Sequence, residues 1–152
     1  MTAAPVTHHT FTIDRHYPVE PARVFLANAE YSAKRRWFAE GEGFQVLEYS
    51  LDFREGGTES ARFIAPGGVH VTYDATFHDI EPDKRIVLSY EMSIEGTRIS
   101  ISLATTELEA VDGGTRLVFT EQGAYLGDDD QTASREEGSR SLLEALAVEL
   151  AR

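Results

Sequence analysis

QTASREEGSRSLLEALAVELAR, residues 131–152, closes the chain, and its periodicity changes along its length. Leu142, Leu143, Leu146 and Leu150 recur at helical spacing, which predicts a long amphipathic helix over about 131–151. Asp128 to Asp130 lie just before it, where acidic groups favour the positive end of a helix dipole. Ser134 and Glu137 also fit a capping box, so the helix starts near 131 or near 135. Upstream of Leu142 the same face offers only Arg135, Gly138 and Ser139. A helix packed along its whole length carries apolar bulk throughout its stripe. The reading is therefore that this helix and its support diverge beyond Leu142 and leave a space.

What the helix packs on is written upstream. Gly56-Gly57, Pro66-Gly67-Gly68, Pro82-Asp83, Glu95-Gly96 and Asp112-Gly113-Gly114 are turn signals at regular intervals. They separate predicted strands at about 44–53, 58–65, 69–81, 85–94, 98–110 and 115–125. VHVTYDATF puts Val69, Val71, Tyr73, Ala75 and Phe77 on one face; RISISLATTELEA alternates through Ile99, Ile101 and Leu103, then changes phase to Leu108, which predicts a bulge near Ala104 to Thr106. Residues 8–17 make a further strand, with Phe11 and Ile13 on one face. Pro21 suits the first turn of a helix, and a second short helix over 31–38 carries Trp37 and Phe38. Short connections imply an antiparallel sheet with one covered face. The order is strand, two short helices, six strands, one long helix, in a single domain spanning 1–152.

At 152 residues the chain can bury roughly 68–70% of the surface it exposes when unfolded, enough for a substantial core. It has no cysteine, which excludes disulfides and thiolate chemistry. The opening MTAAPVTHHTF lacks the pattern of a signal peptide, and no apolar run approaches a membrane span, so a cytoplasmic protein is expected. A net charge of −12 opposes contact with nucleic acid or anionic membrane. AKRRW, residues 33–37, is the only basic cluster and reads as a solvated helix face. His8, His9, His16, His70 and His78 show no metal-binding spacing, and His70 and His78 have the parity of the outer face; no metal or other cofactor is expected. Asp128-Asp129-Asp130 lacks the glycine and distal glutamate of a calcium loop.

LVFTEQGAY, residues 117–125, poses the chemical question. A period of two places Glu121 on the face of Leu117 and Phe119. The carboxylate has three readings: at the strand's rim in water, paired inside with Arg135 or another cation, or acting as an acid–base group raised in pKa by an apolar cavity.

The motifs FTIDRHYPVEPARVFLANAEYSAKRRWF, YDATFHDIEPDKRIVLSYEM, GGTRLVFTEQGAY and REEGSRSLLEALAVEL together resemble the START-like, or helix-grip (SRPBCC), superfamily. Within it the chain is similar to the activator of heat-shock protein 90 ATPase homologue-like group, often filed with polyketide cyclases and dehydrases. The resemblance spans about residues 8–150. It implies an α+β fold: a curved seven-stranded antiparallel sheet wrapped around the long C-terminal helix, with two short helices between strands 1 and 2. Such relatives often carry tryptophan after the glycine of the last helix; here Ser139 follows Gly138, which would widen the interior.

In that fold a ligand lies between helix and concave sheet. The side chains expected there are Phe53, Phe63, Tyr73, Phe77, Tyr90, Met92, Ile101, Phe119 and Glu121 from the sheet, with Trp37 and Phe38 from the short helices. Arg135, Gly138, Ser139 and Leu142 come from the long one. Aromatic walls with a few polar groups suit a small molecule, although the same rings also suit a plain core. Tyr73 and Tyr90 have two readings, as ordinary core tyrosines or as hydroxyl donors to a ligand. The resulting expectation is a binder of a hydrophobic or aromatic small molecule, with Glu121 as candidate catalytic group for cyclase- or dehydratase-like proton transfer. The resemblance also admits a regulator of a chaperone ATPase, with a chaperone partner, and a protein that confers resistance by sequestering its ligand.

Overall fold

Two-residue turns decide the pairing. Glu95 and Gly96 both take positive φ (49° and 81°), the geometry that joins twisted antiparallel strands without splaying them. A computed structural model describes residues 5–152. Residues 1–4, part of the opening stretch read for a leader, lie outside them.

The strands are β1 (Val6–Tyr17), β2 (Gln45–Leu51), β3 (Thr58–Ala65), β4 (Val69–Glu81), β5 (Arg85–Ile94), β6 (Thr97–Val111) and β7 (Gly114–Leu126). They form one antiparallel sheet in the order β1-β7-β6-β5-β4-β3-β2. Helix α1 (Pro21–Ala29) and helix α2 (Tyr31–Lys34) follow β1, and α2 runs into a π-helical turn, Arg35–Ala39. Helix α3 (Thr132–Leu150) closes the chain.

The expected bulge at 104–106 is absent. The β5–β6 register instead slips at Ile99, because Met92 pairs with Ser100 and Ser93 with Arg98. From Ser100 onward β6 keeps one phase, with Ser100, Ser102, Ala104 and Leu108 buried. The apolar alternation of Ile101 and Leu103 lies on the opposite, outer face, where they are 41% and 38% exposed. Placing Ile101 inside is thus corrected: this strand turns its small and polar residues inward.

Two apolar clusters form the interior. Ile13, Tyr17, Leu108 and Leu117 of the sheet meet Val24 and Ala27 of α1 and Leu143, Leu146 and Leu150 of α3. Each fully buried leucine contributes about 1.5–3 kcal/mol. The second cluster gathers Tyr49, Ala61, Tyr73, Ala75, Tyr90 and Ala104 under Ala39, and Phe38 and Phe119 touch both. The C-terminal half of α3 is further tied by the Tyr17 hydroxyl donating to the Leu143 carbonyl (2.9 Å) and by Arg36 gripping Glu149 with two bonds of 2.9 and 2.7 Å.

The N-terminal half is held differently. Asp130, rather than Ser134, caps α3, accepting from the Thr132 amide (3.0 Å) and hydroxyl (2.7 Å). Gln131 donates to the carbonyls of Ile99 and Leu126, and Arg135 reaches into the sheet. Gly138 is exposed and a Cβ there would meet nothing within 4 Å, so its expected place on the inner face is not the one it takes; Ser139 is the buried member of that pair. Glycine within an exposed helix costs backbone entropy without a packing return. Gly138→Ala should therefore raise the urea-unfolding free energy by about 0.5–1 kcal/mol.

Candidate functional site

Strand registers order the concave face into rows. One row runs Tyr49–Ala61–Tyr73–Met92–Ser100–Tyr125, the next Glu59–Ala75–Tyr90–Ser102–Gly123–His9, and the third Phe77–Leu88–Ala104–Glu121–Phe11. From β3 to β1 the middle row has no aliphatic side chain larger than alanine; only at the β2 border does Leu51 stand beside Glu59. This is where the interior is polar.

Glu121 is 1% exposed, so the rim reading is overturned. Its two carboxylate oxygens accept from the Tyr90 hydroxyl at 2.9 and 3.0 Å, and Arg135 Nη1 lies 3.6 Å away. That guanidinium also donates to the Tyr90 oxygen (3.0 Å) and to the Ser100 hydroxyl (2.8 Å). Its charge sits 5.7 Å from the Tyr90 ring and 5.2 Å from the Tyr125 ring. Burial pushes the Glu121 carboxyl above the usual carboxylate range, opposed by Arg135 and by the bond from Tyr90. Burial likewise pushes the hydroxyls of Tyr90, Tyr73 and Tyr125 up, which keeps the phenols protonated.

Beside this cluster two hydroxyls are left over. Tyr125 Oη is buried with no hydrogen-bond partner, and Ser102 Oγ, close enough to Glu121 and Tyr90 to hold both of their pKa values down, makes no bond of good geometry. They converge: Ser102 is the register partner of Gly123, and the Tyr125 ring lies over Gly123 so closely that a Cβ there would come within 2.8 Å of Oη. Gly123 is required because the phenol rests on its backbone.

A second buried carboxylate was missed in the sequence. Glu59 is fully buried, accepts from the Tyr49 hydroxyl (2.5 Å) and pairs with Lys34 Nζ (3.4 Å). Lys34, in the stretch read as a solvated face, is 5% exposed and lies 4.6 Å from the Phe38 ring centroid and 5.1 Å from that of Trp37. The parity that flagged Glu121 beside Phe119 holds equally for Glu59 beside Ala61 and Phe63. Tyr73 lies between the two acids, 4.8 Å from the Tyr90 ring and 4.9 Å from Phe38.

The remaining expected residues divide. Phe38, Tyr73, Tyr90, Met92 and Phe119 gather in the second cluster near Glu121. Trp37 is buried in the first, its indole donating to the Ala27 carbonyl (2.8 Å), and Leu142 packs against it. Phe53 and Phe77 form an edge-to-face set with Phe25 at the α1 end, and Phe63 packs edge-on to Phe44. The leading concavities lie outside the hollow expected under α3. Of the two most pocket-like concavities among the described residues, one of about 420 Å³ lies around Lys84 and Arg116, and one of about 450 Å³ lies around His8, Ile101 and Leu103. Arg135, Tyr125 and the Phe38–Tyr73–Tyr90 rings fill the space instead. No group of three His, Asp or Glu side chains among the described residues is placed to hold a metal, and no helix there is long and apolar enough to cross a membrane.

A curved seven-stranded antiparallel sheet gripping a C-terminal helix, with two short helices after the first strand, defines the helix-grip, START-like class. The chain belongs to the family described as Activator of Hsp90 ATPase homolog 1-like protein, whose model matches residues 18–151. A solved structure from Rhizobium leguminosarum is 42% identical with a TM-score of 0.95, covering 99% of each chain. The Mll3558 protein from Rhizobium loti is 52% identical with a TM-score of 0.88, covering 95% of this chain and 99% of its own. The AHSA1 protein from Silicibacter pomeroyi shares the fold at 23% identity and a TM-score of 0.79, over 94% and 98%. No curated protein matches. Proteins of this fold family generally hold small hydrophobic ligands between sheet and helix.

Two measurements test the site's electrostatics. The folded pKa of Glu121 lies above its unfolded value of roughly 4.3, so folding favours the protonated form. That contribution is full below the unfolded value and is lost as pH rises through the folded one. The stability of the wild type relative to Glu121→Gln should therefore decline with rising pH across that window in urea titrations. Lys34→Ala leaves Glu59 buried without its cation and should cost about 3–5 kcal/mol, most of it recovered when Glu59→Gln is added.

Proposed function

We propose that this protein binds a hydrophobic or aromatic small molecule bearing an acceptor oxygen, a carbonyl or carboxylate, beneath the N-terminal half of α3. One observation carries the reading: the buried Tyr125 hydroxyl stands unpartnered beside the Arg135 guanidinium, and Ser102 Oγ, next to Glu121 and Tyr90, lacks a bond of good geometry. An unsatisfied buried donor costs about 1–3 kcal/mol, and a fold keeps such a cost where a ligand removes it. All three groups donate, so the matching ligand atom accepts. The ligand's apolar body would lie against Phe38, Tyr73, Met92 and Phe119, within the second cluster. Entry requires α3 to lift or Tyr125 to swing off Gly123, which the polar tethering of that half of the helix makes less costly than separating a leucine seam.

Glu121 is the group we assign to proton transfer in any reaction at this site. Burial moves its carboxyl pKa toward neutral pH while it keeps the neighbouring phenols protonated, so it is the member with a proton to exchange.

The test pairs stability with affinity. Ser102→Ala combined with Tyr125→Phe should stabilise the free protein by about 1–3 kcal/mol, because an orphan hydroxyl and a poorly bonded one disappear. The same variant should weaken binding of aryl ketones or aryl carboxylates by about tenfold per lost bond, read by thermal shift and calorimetry. Parent arenes lacking the oxygen should bind both proteins alike. Failure of every aryl ketone and carboxylate to shift the wild type, or equal affinity in the variant, would refute the assignment.

A further inference from the structure

The outer face of the sheet carries a sparsely charged field. Registers place Thr10, Gln122, Leu103 and Ser89 side by side across β1, β7, β6 and β5. The row toward one end reads Thr12, Thr120, Thr105 and Val87; the row toward the other opens with His8, Ala124 and Ile101. Ile101 and Leu103 stand 41% and 38% exposed at its centre, in the shallow concavity of about 450 Å³. In a chain with 26 acidic and 14 basic residues, Glu91, the register partner of Ile101, is the one formal charge on these rows if histidine is neutral. A solvated sheet face ordinarily alternates charged and polar groups, and depletion of charge around exposed aliphatics is the mark of an interface core.

We infer that this face pairs with the same face of a second copy, in a two-fold, concentration-dependent dimer. Each copy carries −12, so apposition elsewhere sets many carboxylates against one another, whereas this face brings in only Glu91, already paired with Arg98 (3.4 Å). A two-fold contact is self-complementary, which lays Leu103 and Ile101 of one copy over the same residues of the other. Both ends of the field carry both signs: Arg116 with Asp14 (2.6 Å) at one, Arg98 with Glu91 (3.4 Å) at the other. In either antiparallel or crossed apposition, a border carboxylate meets an arginine. Strands about 4.8 Å apart and a same-face repeat of about 6.8 Å make the field roughly 15–20 Å on a side. That is below the roughly 800 Å² per partner of a permanent interface, and it fits a weak dimer.

Sedimentation velocity from micromolar to millimolar protein reads the outcome. The wild type should rise toward twice the monomer mass, more readily as salt screens the net repulsion. Leu103→Glu should remain monomeric at every concentration, and the milder Leu103→Gln together with Ile101→Thr should weaken association at least tenfold with an unchanged circular dichroism spectrum. A wild type that stays monomeric, a dimer indifferent to both variants, or one that dissolves with added salt would overturn the inference. So would a monomer that co-sediments with phosphatidylcholine vesicles through the same residues, since lipid would then be the occupant.

Discussion

A carboxylate removed from water must be neutralised or paired, and Glu121 is met from two directions, by Tyr90 within the sheet and by Arg135 from the terminal helix. Much of the interior follows from that requirement. Arg135 can reach Glu121 only across small residues, so β6 turns Ser100, Ser102 and Ala104 inward and β7 supplies Gly123. The helix must lie close enough for a guanidinium to span the gap, yet its own face there cannot carry leucine. Hence α3 is anchored by apolar contact in one half and by hydrogen bonds in the other. The same economy recurs at Glu59, where Lys34 enters from α2 beneath two aromatic rings. Each end of the Tyr73–Tyr90 pair is flanked by an acid with its cation, and both cations come from helices. The helical layer is keyed to the sheet by charge as well as by grease.

Strand number, strand order of appearance and the long last helix were legible because turn residues and two-residue periodicity are local signals. So was the weakness of α3 upstream of Leu142. Glu121 could be flagged since one strand alone carries both the acid and its apolar neighbours. The pairing with Arg135 was among three open readings, as nothing local says which cation arrives from elsewhere. Ile101 misled for a physical reason: β6 is more apolar on its outer face than on its inner one near the polar row, so hydrophobic parity pointed the wrong way. Lys34 misled because a lysine in a basic run is usually solvated, and its burial depends on a carboxylate 25 positions downstream in β3. The openness of the hollow was illegible too. Ring stacking among Phe38, Tyr73 and Tyr90, and the phenol of Tyr125 lying on Gly123, are tertiary facts.

The concave and convex faces of one sheet thus obey different rules. Inside, polarity is concentrated in a narrow band and satisfied largely by named partners, with Ser102 Oγ, Tyr125 Oη and Arg15 Nε as the exceptions. Outside, across β1, β7 and β6, the centre is left to threonine, glutamine and aliphatics, and charge begins with Glu91 on β5. Because neighbouring residues on β6 point to opposite faces, Ser102 and Leu103 place an interior polar group and an exterior apolar one back to back. A one-residue slip of that strand would expose the first set and bury the second, which makes its register strongly determined.

The first strand of the chain lies at one border of the sheet and pairs only with the last, from Val6 against Leu126 to Tyr17 against Thr115. During synthesis β1 therefore has no partner until more than a hundred residues have followed it, and the concave acids have no lid until α3 emerges after that. Closure of so long a loop is entropically costly and comes late. β1 and the concave acids both wait for residues beyond 113, the strand for β7 and the carboxylates for α3, so the border of the sheet and its lid are set in place after the strands between them.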